Sequence, residues 1–200
     1  LDHDTFESNL SIEELQASHL FDEQFDPVSF SSLNSVIKLD LSDNNLQIGF
    51  INALKLPETI KMLNLSYNNL IGYFSNKFYS SLSSVEFLDL SFNQINLTNE
   101  LFSSLKSIQT LTIKNNGITY LNFNQTISSL KVLSLDNNRI ENVPNLDMIK
   151  YLPLLETLSL SGNSIKQLSK GSVKSKWKLQ VLNLSNNSLS VLDPSSLANV

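Results

Sequence analysis

The sequence predicts an α/β solenoid, a single stack of like coils that each contribute one short strand, and three observations carry that prediction. A string of the form LxxLxLxxNxL recurs seven times, with starts spaced 22 to 25 residues apart. Self-similarity at such a period marks stacked units that share one continuous core. Within each string the two central leucine-type residues are two apart, the spacing of side chains on one face of a strand. The strings also follow one another without a linker. The chain is therefore one domain, in which 1–35 form an N-terminal cap or degenerate first repeat and 36–200 hold seven repeats, the last unfinished.

Taken in order, the repeat from 36, VIKLDLSDNNL, buries Leu39 and Leu41. The repeat from 60, IKMLNLSYNNL, buries Leu63 and Leu65, and that from 85, VEFLDLSFNQI, buries Leu88 and Leu90. IQTLTIKNNGI from 108 uses Leu111 and Ile113, and LKVLSLDNNRI from 130 uses Leu133 and Leu135. LETLSLSGNSI from 155 uses Leu158 and Leu160, and LQVLNLSNNSL from 179 uses Leu182 and Leu184. No coil can cover such a pair alone, so neighbouring coils must stack. A second apolar position lies six residues before most repeat starts, at Phe30, Leu54, Phe102, Ile149, Val173 and Leu197, and fills the back of each coil. Phe78 and Phe123 are displaced by one residue, in a 25-residue and a 22-residue repeat, so the convex side should be irregular there.

From 36 to about 200 these strings resemble the leucine-rich repeat family, and seven copies in register make the match specific. The resemblance implies a curved horseshoe with a parallel sheet on the concave face and irregular or short helical convex segments. It also implies a role for Asn44, Asn68, Asn93, Asn116, Asn138, Asn163 and Asn187, each three residues past the second core residue, where the chain turns out of the strand. An amide both donates and accepts, so a column of asparagines can satisfy turn peptide groups and link coil to coil. Repeats of this length with a phenylalanine toward the end look like the typical subclass of extracellular receptors, adhesion proteins and innate-immune recognition proteins, Toll-like receptors among them. That likeness implies a non-enzymatic module binding a protein, peptide or microbial ligand, as a receptor ectodomain or secreted protein, alone or as a homo- or hetero-dimer. The alternative is a cytoplasmic scaffold or regulatory subunit docking on a signalling enzyme, which the absence of cysteine and of a visible signal segment supports. A third reading is a purely structural, self-assembling solenoid.

Residues flanking the core leucines face outward onto the concave surface, because side chains alternate along a strand. Just before each pair stand Lys38, Met62, Phe87, Thr110, Val132, Thr157 and Val181. Between the pair stand Asp40, Asn64, Asp89, Thr112, Ser134, Ser159 and Asn183. Beyond it, in the first three repeats, come Ser42, Ser66 and Ser91, then Asp43, Tyr67 and Phe92. Most of this surface is small and polar, but repeats two and three set Met62, Phe87, Tyr67 and Phe92 side by side, and exposed aromatics should cluster there and nowhere else. Aromatic and methionine groups rimmed by acids are a common protein-interface composition. The candidate ligand-binding residues are therefore Met62, Tyr67, Phe87, Asp89, Phe92, Asp40 and Thr112. The alternative for the aromatics before the asparagine is that they only cover the rim, since an aromatic there is common in the family.

Asn-x-Ser/Thr sequons occur at Asn9, Asn64, Asn96, Asn124, Asn183 and Asn186. In a chain with 25 asparagines their number says little and their placement more. Asn96 and Asn124 come after the asparagine turn on loops able to carry glycan, whereas a glycan on Asn64 would cover the concave patch. Charge is uneven: 1–100 hold 14 acidic and 4 basic residues, net −10, and 101–200 hold 5 acidic and 10 basic, net +5, which makes the molecule a long dipole. Lys166, Lys170, Lys174, Lys176 and Lys178 surround Trp177; such a tract can bind an anionic surface, but it reads as a solvated loop, and no nucleic-acid partner is expected. The chain ends about three residues before another repeat would begin, so further residues or a stacking partner are expected at that end. No apolar run approaches the ~20 residues of a membrane span, and a membrane would be reached only through a segment outside this chain. His3 and His19 are the only histidines and cysteine is absent. With no nucleophile–base pair, no glycine-rich phosphate loop and no regular ligand cluster, neither catalysis nor a cofactor nor a metal is expected. Asp22 and Glu23 near His19 read as a solvated cap.

Overall fold

A computed structural model describes residues 12–19, 30, 33–121, 123–141, 151–168 and 178–190. Eight three-residue strands line up in chain order as one parallel sheet: β1 (Glu14–Gln16), β2 (Lys38–Asp40), β3 (Met62–Asn64), β5 (Phe87–Asp89), β7 (Thr110–Thr112), β8 (Val132–Ser134), β9 (Thr157–Ser159) and β10 (Val181–Asn183). Two shorter strands, β4 (Ile71–Gly72) and β6 (Gln94–Ile95), pair in parallel where the chain has left the asparagine turn. No described helix is long and apolar enough to cross a membrane.

The leucine spacing sets the register. Leu15, Leu39, Leu63, Leu88, Leu111, Leu133, Leu158 and Leu182 stand opposite one another from strand to strand. A slip of one residue would turn this row out to water, and burying each leucine contributes roughly 1.5–3 kcal/mol, so the register is strongly held. From Leu39 to Leu160 the expected core pairs are fully buried. Leu182 and Leu184 are only partly buried, because among the described residues no strand lies beyond β10 to cover them. At the other edge, β1 extends the sheet one coil before the first LxxLxLxxNxL string. Ala17, 4% exposed, takes the place of the second leucine there, which hides this coil from the leucine pattern.

Three short helices fill the convex side of the first repeats: α1 (Ile48–Ala53), α2 (Asn76–Ser80) and α3 (Asn99–Ser104). Ser75 caps α2 by accepting from the Phe78 N–H at 3.3 Å, and Thr98 caps α3 by accepting from Leu101 at 3.4 Å. Phe30, Leu54, Phe78, Phe102 and Phe123 are all buried at the back of their coils. In the 25-residue repeat the one-residue displacement of Phe78 brings Tyr79 inward beside it, and Phe74 packs against both rings. Ile149, Val173 and Leu197 lie outside the described residues.

The asparagine column links the coils. The Asn138 amide donates to Ile113 O in the preceding coil and to Leu135 O in its own, both at 2.9 Å, while its Oδ1 accepts from the N–H groups of Asn116 and Ile118, both at 3.0 Å. Asn68, Asn93, Asn116, Asn163 and Asn187 repeat the cross-coil donation, to Leu41, Leu65, Leu90, Leu135 and Leu160. Turning the chain into this position needs a left-handed residue just before the asparagine. Asp43, Tyr67, Phe92, Asn115, Asn137, Gly162 and Asn186 all have φ between 52 and 66°.

Candidate ligand-binding site

The register sets the outward side chains in rows. One row runs Glu14, Lys38, Met62, Phe87, Thr110 and a second runs Gln16, Asp40, Asn64, Asp89, Thr112, with ~4.8 Å between neighbouring strands. Between β1 and β5 these rows surround an open depression lined by Glu14, Leu15, Gln16, Lys38, Leu39, Asp40, Met62, Asn64 and Phe87. Met62 is 37% exposed and Phe87 half-buried, so two large apolar groups meet solvent on adjacent strands. Glu14 and Gln16 are absent from the candidates that the repeat pattern singles out. The signal that finds them is the distance from Leu15 to Leu39, one repeat length.

The polar groups of the depression are fixed. Lys38 Nζ lies 3.2 Å from Glu14 Oε2. Asp40 Oδ1 accepts from the Ser42 N–H at 2.9 Å and its Oδ2 from the Asn64 amide at 3.1 Å. Asn64 Oδ1 accepts from the Ser66 N–H at 3.0 Å, and beside it, outside the lining, Asp89 Oδ1 accepts from the Ser91 N–H at 2.8 Å. No cation of the described residues is within ion-pair distance of Asp40 or Asp89. Thr112 stands beside Asp89 on β7, half-buried.

The four expected contact side chains form two pairs and not one patch. Met62 and Phe87 border the depression, but Tyr67 and Phe92 stand five residues further along the chain and do not line it. They stack on one another, with ring centroids 3.9 Å apart and planes at 12°, and remain 53% and 38% exposed. Exposed aromatics are not confined to the concave face either: Tyr73 is 59% and Tyr120 61% exposed, beyond the asparagine turn. Of the serines expected on the surface, Ser66 and Ser91 are buried, because the chain is already turning inward there and the Ser91 hydroxyl accepts from Lys114 N–H.

Asn96 and Asn124 are exposed, Asn64 and Asn183 are half-buried within β3 and β10, Asn186 is exposed, and Asn9 lies outside the described residues. His19 contacts Asp43 at 3.1 Å. Of the basic tract, Lys166 pairs with Glu141 at 3.2 Å and Lys178 is exposed. Lys170, Lys174, Lys176 and Trp177, with Asp22, Glu23 and the stacking end at 191–200, lie outside the described residues. Among the described residues no three His, Cys, Asp or Glu side chains converge as a metal site.

Comparison with known proteins agrees with this geometry. A family described as "Leucine rich repeat" matches residues 153–200, and one described as "Leucine Rich repeats (2 copies)" matches 128–170. Osteomodulin of Bos taurus is 28% identical over 170 residues, covering 82% of this chain and 39% of its own length. Toll-like receptor 9 of Mus musculus is 34% identical over 118 residues, 57% of this chain and 11% of that receptor. A crystal structure of a TLR13–ssRNA13 complex matches with a TM-score of 0.72 and 30% identity, over 87% of this chain and 25% of that one. The chain thus spans about two fifths of the length of osteomodulin and smaller shares of the receptors.

Proposed function

The chain belongs to the leucine-rich repeat family, and from that premise we propose that it is a non-enzymatic, extracellular recognition module that holds a protein or peptide ligand against the concave sheet of its first coils. The observation that carries the reading is the depression itself: Met62 exposed beside the half-buried Phe87, with Asp40 in its lining and Asp89 next to Asn64, and no cation of the described residues within ion-pair distance of either carboxylate. Exposed apolar groups rimmed by polar ones mark interaction surfaces, and a few large side chains carry most of an interface's energy. These side chains stand on strands locked by buried leucines and by the bonds of Asp40 and Asp89 to the next turn, so little order remains to be lost on binding.

Osteomodulin and Toll-like receptor relatives support the extracellular, ligand-binding reading. The TLR13 structure is a complex with an ssRNA; here the first hundred residues carry a net charge of −10, and a polyanion is the ligand this face would repel. A Met62→Ala/Phe87→Ala variant should keep its melting temperature within a few degrees and bind the ligand at least about tenfold more weakly. Unchanged affinity would remove the reading.

A further inference from the structure

Resting on that recognition reading, we propose that the depression between β1 and β5 takes a cationic side chain of a polypeptide ligand, an arginine or lysine whose stem lies on Met62 and Phe87 and whose charge meets Asp40 in the lining and the field of Asp89 beside it. The structure does not demand negative charge at these two positions. Both use an Oδ1 that accepts from the N–H two residues on, at 2.9 and 2.8 Å, and Asp40 Oδ2 takes one further bond, from the Asn64 amide at 3.1 Å. The equivalent positions in other repeats obtain the same bond from a neutral amide, Asn64 to Ser66 at 3.0 Å and Asn183 to Ser185 at 3.1 Å. The Oδ1 bonds at 40 and 89 therefore need an acceptor oxygen and not a charge; Asp40 lines the depression with Met62 and the half-buried Phe87, and Asp89 stands beside Asn64 on the next strand.

The remaining groups leave that charge unanswered. Lys38, the one cation among the described residues that line the depression, is held by Glu14 at 3.2 Å. A neutral apolar ligand covering Met62 and Phe87 would strip water from the carboxylates and offer no donor in return, which opposes binding. An anionic ligand would meet like charge. A guanidinium answers both demands, since its N–H groups reach a carboxylate while its plane packs on the Phe87 ring. A lysine does so with its methylenes on Met62 and its ammonium in the acidic row.

The test is selection from a random-peptide phage library on the whole chain and on three variants. Asp40→Asn/Asp89→Asn removes the charge and keeps the Oδ1 acceptors, Met62→Ala/Phe87→Ala removes the apolar floor, and Glu58→Gln/Glu100→Gln removes two exposed charges elsewhere. Peptides with Arg or Lys beside an apolar residue should be enriched on the natural chain and on the Glu58/Glu100 variant, and should bind about tenfold or more weakly to each of the other two. Neutral apolar peptides that ignore Asp40→Asn/Asp89→Asn yet fail on Met62→Ala/Phe87→Ala would overturn the cationic assignment and leave the recognition site standing. Peptides that bind every variant alike, or no enrichment at all, would overturn both.

Discussion

Tyr67 and Phe92 occupy a backbone position that side chains of their bulk avoid. Their φ values, 54 and 56°, are left-handed, which costs a non-glycine residue roughly 1–2 kcal/mol, and the stacked pair they form returns about 0.5–1.5 kcal/mol. Two such residues cost about 2–4 kcal/mol together, more than the one stack returns, so stability alone does not account for aromatics where other repeats place Asn115, Asn137 or Gly162. Tyr67→Asn/Phe92→Asn should leave the unfolding free energy equal to that of the natural chain or raised by about 1–2 kcal/mol in a urea titration. A loss of several kcal/mol would show the rings to be structural. Tyr79 differs, because its hydroxyl is drawn inside, 3.0 Å from Thr98 Oγ1. Desolvation pushes its pKa above the ordinary value of 10.0, the Thr98 bond opposing. The folded state thus holds the phenolic proton more tightly than the unfolded state does, and the contribution of Tyr79 is complete below about pH 10 and lost as pH rises past it. Tyr79→Phe should flatten that alkaline limb; an equal alkaline loss in both proteins would contradict it.

At the scale of one coil, strand and asparagine act together, and this is also where the sequence was most legible. The LxL pair is a local pattern, so its strands could be placed by spacing alone. The asparagine column was legible because each turn needs a group that donates and accepts at once. Asn138→Ala strands Ile113 O and the N–H groups of Asn116 and Ile118, and should cost about 2–4 kcal/mol by thermal or urea unfolding. A cost under about half a kcal/mol would mean that the ladder is ornamental. Less legible was the coil containing β1, where Ala17 replaces a leucine and only the register with β2 shows the relation. The split of the aromatic patch was also hidden. Equivalent positions in neighbouring repeats are adjacent in space, but residues five apart along one coil are separated by the run of the strand and its turn, and a roll of outward residues does not carry that distance.

Over the whole molecule, each coil touches only its neighbours, and stability should spread from the middle of the stack outward. Leu111→Ala, at a fully buried site in β7, should cost about 2–5 kcal/mol and speed hydrogen exchange first in β5, β7 and β8. Uniform acceleration from β2 to β10 would contradict the quasi-one-dimensional reading. Fold and outward rows were readable because both derive from the repeat; ligand class was not, because it depends on which polar groups are already spoken for, such as Lys38 by Glu14. Compartment and binding face meet at three asparagines. Asn96 and Asn124 are exposed, while the half-buried Asn64 lies in the depression with its amide bonded to Asp40. Glycopeptide mass spectrometry on the protein from its native source tests both at once. N-glycan on Asn96 or Asn124 with Asn64 bare is the expected result; glycan on Asn64 would contradict the concave site, and no glycan on any of the three would contradict the extracellular assignment.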